Sequence, residues 1–374
     1  MIISRTPFRI SFFGGGTDYP GWYREHGGAV LATTIDKYCY LTCRYLPPFF
    51  DYRHRVVWSK VENRRGADEI EHPVVRALIG YLGIDRGLEI HHVGDLPARS
   101  GMGSSSAFTV GLVHALHALR GRMVSKEELS AEAIHVEQRI LRETVGSQDQ
   151  VCAAHGGLNR IAFERDGGIS VRPVILPKAR VAALESHLML MYTGIARTAS
   201  AVASAYVTDL AAKRRNLRIL RDLVDEGLDL LSGSSPISDF GLLLDEAWGH
   251  KRALGPGVTI PEVDGLYDRA REAGAIGGKL TGAGGGGFLL LFVPPERQGQ
   301  VADALPDLVH VPFRFESAGS QIIFYDPEED FEAVEQRRLS MPVRSFRDAD
   351  CAPRRAVLHP SRPAPAARVL EGKP

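Results

Sequence analysis

The stretch PARSGMGSSSAFTVGLVHAL, residues 97–116, sets Gly101 and Gly103 among four serines directly ahead of a run of apolar and small residues. Phe108, Leu112, Ala115 and Leu119 recur at helical spacing, which predicts a helix with one buried face. Helix N-termini carry unpaired N–H groups and a positive partial charge, so a glycine-serine loop placed there makes an anion cradle. Gly101 and Gly103 let the backbone approach phosphate oxygens closely, and Ser104, Ser105 and Ser106 offer hydroxyls for phosphate or a magnesium ion. The same residues also fit a serine-capped helix after a tight turn. Neither the G-x-x-x-x-G-K-[ST] order nor the G-x-G-x-x-G spacing of the common nucleotide loops is present.

Composition narrows the alternatives. The chain has 374 residues, enough for two ordinary domains, and its 44% hydrophobic content supplies a core. Lysine plus arginine and aspartate plus glutamate each number 45, so no net field draws the chain to nucleic acid or to an anionic membrane. Small molecules are the expected partners. The opening MIISRTPFRI lacks the apolar region of a signal peptide, and no stretch approaches the about 18 apolar residues that span a bilayer, so a cytoplasmic location is expected. Cys39, Cys43, Cys152 and Cys351 show no C-x-x-C spacing and read as reduced packing residues.

Along the chain, residues 29–46 (AVLATTIDKYCYLTCRYL) alternate and read as a strand or hairpin, and residues 87–97 as another strand. Ser125 and Glu128 form a capping box ahead of a helix on which Leu129, Ala133, Val136 and Ile140 share one face. His114 and His117 stand three apart with no carboxylate or cysteine placed beside them, and read as packing or surface residues. Beyond residue 180 the pattern changes to long helical stretches, about 200–231 and 237–253, followed by PEVDGLYDRAREAGA and a glycine run before FLLLFV. From about 335 the chain is rich in arginine and proline without apolar periodicity, which predicts a disordered tail.

Two further stretches settle the reading of residues 97–116. Residues 5–20, RTPFRISFFGGGTDYP, set arginine, three glycines and an aspartate on a strand and turn; residues 277–293, GGKLTGAGGGGFLLLFV, set a second glycine loop before a buried strand. Together the three resemble the motifs of the GHMP kinases over about residues 1–326. SFFGGGTDYP, SGMGSSSAFTVGL and SQDQ are most similar to the bacterial heptose-phosphate type within that family.

The resemblance implies an α+β fold of two domains, an N-terminal one (1–180) with a left-handed βαβ unit and a C-terminal ferredoxin-like one (181–334), with residues 335–374 as the tail. It implies ATP and Mg2+ as cofactors and phosphorylation of a sugar-phosphate hydroxyl: the anomeric oxygen of D-glycero-D-manno-heptose 7-phosphate, giving the 1,7-bisphosphate. An L-fucose-type kinase and a non-catalytic sugar sensor are the alternatives. Residue by residue, Asp149 would accept the hydroxyl proton and Arg9 would stabilise charge there. Pro97, Arg99, Ser100, Gly101, Met102, Gly103, Ser104, Ser105, Ser106, Gly282, Ala283, Gly284 and Gly285 would hold the nucleotide. Ser105 and Glu137 would hold the metal. Gly14, Gly15, Gly16, Thr17, Asp18 and Gly146 would contact the sugar, with Lys37 and Arg197 as candidates for its remote phosphate. Galactokinase carries Glu-His where this chain has Gly15 and Gly16, which argues against galactose. A monomer or homodimer is expected.

Overall fold

The computed structural model describes residues 1–47, 49–98, 100–195, 213–326 and 337. The first half runs β1 (Ile2–Phe13), α1 (Pro20–His26), β2 (Gly28–Tyr45), β3 (His54–Val57), β4 (Val61–Arg64), α2 (Pro73–Tyr81), β5 (Leu88–Gly94) and α3 (Ser104–Leu119), then α4 (Lys126–His135), α5 (Gln148–His155), β6 (Asn159–Phe163) and β7 (Ile169–Pro173). The second half runs α6 (Lys178–Ser186), β8 (Leu188–Tyr192), α7 (Arg214–Ser232), α8 (Ser238–Arg252), α9 (Pro261–Glu272) and β9 (Gly277–Leu280). It continues with β10 (Phe288–Phe292), α10 (Gln298–Ala304), β11 (Val309–His310), β12 (Phe315–Glu316) and β13 (Gln321–Tyr325). The parts of the expected helix at 200–212 and of the tail lie outside the described residues, apart from residue 337.

Among the described residues, nine strands form the first sheet, in the order β13-β1-β2-β5-β3-β4, with β12 and β6 also on β2 and β7 on β6. Strand β3 runs parallel to β5, and α2 lies in the connection between them. The second sheet is antiparallel in the order β11-β8-β10-β9. Helices α7 to α9 join β8 to β9, and α10 joins β10 to β11, which is the connectivity of a ferredoxin-like split βαβ unit. One expectation needs correction. Residues 315–325, placed by sequence in the second domain, return to the first sheet, where β13 covers the outer edge of β1. Uncovered, that edge would present a row of unpaired N–H and C=O groups.

Strand β1 decides where the site lies. From residue 6 onward it is buried on both faces, with α3 and α5 packed on it from the first domain and α7 and α8 from the second. Phe12 and Phe13 meet Phe240 of α8 edge-on, at 5.4 and 5.1 Å between ring centres. Pro7 donates no N–H, and at Pro7 the register against β2 shifts, Pro7 opposing Tyr38 and Phe8 opposing Ile35. Asp36 and Lys37 bulge out of the ladder there, the arrangement that tolerates a strand proline.

Helix α4 starts with the expected capping box, Ser125 Oγ accepting from the Glu128 N–H at 3.1 Å and Glu128 accepting from the Ser125 N–H at 2.8 Å. Its end differs from the expected α-helix. Residues Val136–Ile140 form a π turn, in which the Leu141 N–H reaches back five residues to the Val136 carbonyl at 2.9 Å. The wider turn slips the face, so Ile140 is 37% exposed while Glu137 is 1% exposed. Such turns recur where a chain must aim a functional side chain inward.

Candidate active site

Arg9 on β1 and Asp149 in the first turn of α5 form a two-pronged ion pair, Nε to Oδ1 and Nη2 to Oδ2, both at 2.7 Å. The guanidinium also donates to the Gly101 carbonyl at 2.7 Å, and the Arg9 N–H donates to the Met102 carbonyl at 3.1 Å. Residues 101–103 therefore lie directly on β1. Gly101 and Gly103 have φ of +81° and +73°. A Cβ at Gly103 would stand 3.2 Å from Arg9 Cγ and 3.3 Å from Asp149 Oδ2, so this left-handed residue at the N-cap of α3 borders the ion pair. The Arg9 side chain is 5% exposed and that of Asp149 25%, which leaves the carboxylate as the accessible partner.

The turn 14–18 is fastened to the same cluster. Asp18, 1% exposed, accepts from the Gly16 N–H at 3.0 Å and the Gln148 N–H at 3.3 Å, and a Cβ at Gly146 would fall 1.8 Å from its Oδ2. Burial, then the nearby Asp149 charge, pushes the Asp18 carboxyl up from its ordinary value. Thr17 is fully buried. Its hydroxyl shares its one proton between the Gly14 and Ala29 carbonyls, 2.8 and 2.9 Å away, and accepts from the Ala29 N–H at 3.1 Å. Thr17 thus holds the turn to β2, which corrects its expected role as a polar substrate contact. Gly14 abuts the Ala29 carbonyl, and Gly16 abuts Leu217 of α7. Gly15 is the least crowded of the three: among the described residues only Ser11 Oγ and Gln148 Nε2 come within reach of a Cβ, each at 3.7 Å. Among the described residues, Ser11 Oγ and Gln148 Oε1 are buried polar atoms without a partner. Neither was a sequence candidate.

Glu137 enters from the π turn. Its Oε2 accepts from Ser106 Oγ at 3.0 Å and from Gln150 Nε2, and the Thr109 hydroxyl stands against the same carboxyl; among the described residues Oε1 has no hydrogen bond of good geometry. Burial pushes this carboxyl up to about 7. Ser106 is the serine on the carboxylate, and Ser105 is exposed on the first turn of α3. This amends the Ser105–Glu137 pairing expected from the sequence. A buried acceptor with an unused lone pair suits a cation. Among the described residues no three acidic, histidine or cysteine side chains gather into a metal site, so any ion here would draw its other ligands from phosphate and water, as magnesium does.

Residues 281–287 close the site from the second domain. A Cβ at Gly282 would stand 2.6 Å from Gly101 Cα, and one at Gly287 2.2 Å from the Ser100 carbonyl. The loop is thus a wedge between elements, and Gly282, Ala283 and Gly284 are half-buried. Two buried lysines, missed in the sequence, lie beside it. Lys251 Nζ on α8 donates to the Leu280 carbonyl at 3.1 Å and to the Gly282 carbonyl. Lys279 Nζ on β9 donates to the Ser11 and Phe12 carbonyls at 2.9 and 2.7 Å. Spacing could have found Lys251, which follows Phe240, Leu244, Ala247 and Trp248 on one helical face.

Among the remaining candidates, Ser100 and Met102 are buried, Ser104 half-buried and Pro97 exposed; Arg99 and Arg197 lie outside the described residues. Lys37 is a correction. Carried out of the ladder by the bulge, its ammonium pairs with Asp36 at 2.9 Å, and Asp36 in turn accepts from the Arg314 N–H at 3.0 Å. Among the described residues, Lys251 lies near Arg9, Asp18 and Asp149, and Lys279 near Lys251 and Arg9.

Comparison with known proteins agrees with this geometry. Residues 70–157 match the family model for the GHMP kinases N terminal domain and residues 230–310 that for the GHMP kinases C terminal domain. The D-glycero-alpha-D-manno-heptose 7-phosphate kinase of Campylobacter jejuni is 26% identical over 316 residues, 81% of this chain and 93% of that protein. The L-fucokinase/L-fucose-1-P guanylyltransferase of Bacteroides fragilis is 26% identical over 332 residues, 78% of this chain but 34% of that longer protein. In fold, a D-glycero-D-manno-heptose 1-phosphate kinase from Bacteroides thetaiotaomicron superposes with a TM-score of 0.70 over 87% of this chain and 99% of that one, at 24% identity. With both domain models matched, and with an ion-paired carboxylate set between two glycine loops, the chain carries the N- and C-terminal domains of the GHMP kinases and is an ATP-dependent sugar phosphotransferase.

Proposed function

We propose that this kinase transfers the terminal phosphoryl group of ATP to the anomeric hydroxyl of D-glycero-D-manno-heptose 7-phosphate. The carrying observation is the Arg9–Asp149 pair, whose partly exposed carboxylate stands beside the Gly103 turn. A carboxylate has about four lone-pair directions, and Arg9 uses two, so Asp149 keeps acceptor capacity for a substrate hydroxyl. As the oxygen attacks phosphorus, Asp149 takes its proton, and Arg9 holds the carboxylate in place and balances the charge that develops. The N-terminus of α3 and residues 282–284 of the glycine loop offer backbone N–H groups to the phosphates. Magnesium, held by Glu137 with a serine hydroxyl of residues 104–106, would neutralise charge on the phosphates.

The half-buried Gly15, with Gln148 Nε2 3.7 Å from where its Cβ would stand, leaves room for a sugar hydroxyl. Support for the phosphorylated heptose is the likeness to the Campylobacter enzyme over 93% of its length. In addition, the first turns of α7 bring the exposed Arg214, Arg215 and Arg218 beside Leu217, which lies on Gly16. A coupled assay for ADP release with heptose 7-phosphate, free heptose, L-fucose and galactose tests the reading. Heptose 7-phosphate should give the highest kcat/KM. Equal turnover of free heptose or fucose would replace it with the fucose-type assignment, and ATP binding without turnover of any sugar would favour a sensor.

A further inference from the structure

The last glycine loop is shaped from behind by Lys251. That side chain is 8% exposed and, among the described residues, makes no ion pair; it is held by the Leu280 and Gly282 carbonyls. Because a peptide unit is planar and trans, the N–H following each of those carbonyls points away from α8. The Thr281 N–H, behind the Leu280 carbonyl, donates to the Phe288 carbonyl at 2.9 Å. The Gly285 and Gly287 N–H groups are likewise committed, to Val258 and Ile195 at 3.0 and 2.8 Å. The Ala283 N–H, behind the Gly282 carbonyl, has no partner among the described residues. Nor can the loop fall back toward α3, since Gly282 already abuts Gly101.

We propose that Lys251 is a positioning residue for the nucleotide: by holding the Gly282 carbonyl against α8 it turns the Ala283 N–H outward as a donor to a phosphate oxygen of ATP. The inference rests on the ATP-dependent reading above. The charged groups around Lys251 are Arg9 on β1, Asp18 after it, Asp149 on α5 and Lys279 on β9, with the Trp248 ring 6.0 Å away on α8 itself. Burial, reinforced by Arg9, pulls the ammonium down to about 7. An anionic nucleotide reverses part of that shift, so Lys251 gains a proton as ATP binds.

The test is calorimetry of ATP binding without divalent metal near pH 8, where the nucleotide is ionised, in buffers of different ionisation enthalpy. The wild type should take up a substantial fraction of a proton. Lys251→Met should lose that uptake and weaken ATP binding ~10-fold or more, while changing KM for the sugar less than ~2-fold. ATP binding without proton uptake by the wild type overturns the proposal even where Lys251→Met fails to fold. So does an unchanged Kd in a folded Lys251→Met protein. A wild type that turns over sugar with ATP while either of these holds sinks this inference alone; a wild type that binds no ATP sinks the kinase reading with it.

Discussion

Asp149 and Asp18 lie in one cluster and are held in opposite ways. Asp149 is bound by a side chain, Arg9, and is one-quarter exposed; Asp18 is bound by two backbone N–H groups and is closed off. A carboxylate held by a guanidinium keeps lone pairs for a newcomer. One that staples two loops spends itself on architecture. Residue type and neighbourhood alone do not separate chemistry from support; the donors do.

The sharpest break of that comparison is a pair of isosteric changes. Asp149→Asn should lower kcat at least ~10²-fold and leave ATP affinity close to wild type; near-normal turnover would remove the proton-accepting role. Asp18→Asn sets an NH2 against a backbone N–H and should cost ~1–3 kcal/mol of stability in chemical denaturation, with a smaller loss of kcat. If kcat falls as far as in Asp149→Asn, substrate reaches Asp18 and the division fails.

Glu137 tests the same contrast through pH. Its carboxyl rises from an ordinary value of 4.5 to about 7 on folding. The native state therefore holds the extra proton between those values, and this group's contribution to stability falls as pH rises from about 4.5 to about 7. In the ligand-free protein, Glu137→Gln should thus raise Tm at about pH 8 by ~2–4 °C and give no gain near pH 4.5. An equal gain at both would show that the carboxylate carries no burial cost. The smallest effect belongs to Lys37→Ala, whose ammonium already faces Asp36. KM for heptose 7-phosphate should stay within ~2-fold; a ~10-fold rise would restore Lys37 as a phosphate ligand.

What could be read from the chain follows the reach of each signal. Gly101, Gly103, Gly282, Arg9 and Asp149 stand in compact motifs, and the capping box at Ser125 spans four residues, so local pattern alone points to them. Thr17 and Asp18 stand in a motif too, yet their partners at Ala29 and Gln148 are set by the fold, and the motif could not tell a staple from a contact. Lys37 looked like a strand cation because a bulge opposite Pro7 leaves no mark in β2 itself. The π turn escaped because Val136 and Ile140 keep α-helical spacing. Lys251 was visible in principle as the last position of an apolar stripe, but a lysine there reads as solvated unless what covers it is known.

The return of β13 to β1 has a consequence for how the protein is made. The Met1 amino group and the Asp326 carbonyl are 2.7 Å apart, and Ile2 pairs with Tyr325, so the sheet that carries Arg9 is finished by some of the last described residues to be synthesised. A chain emerging from the ribosome holds the outer edge of β1 open until the whole second sheet has been made. The two halves are interleaved in time although each has its own sheet. A fragment ending near residue 180 would carry all of β1, Asp18 and Asp149 and still present an unfinished edge, ready to pair with the same edge of another copy.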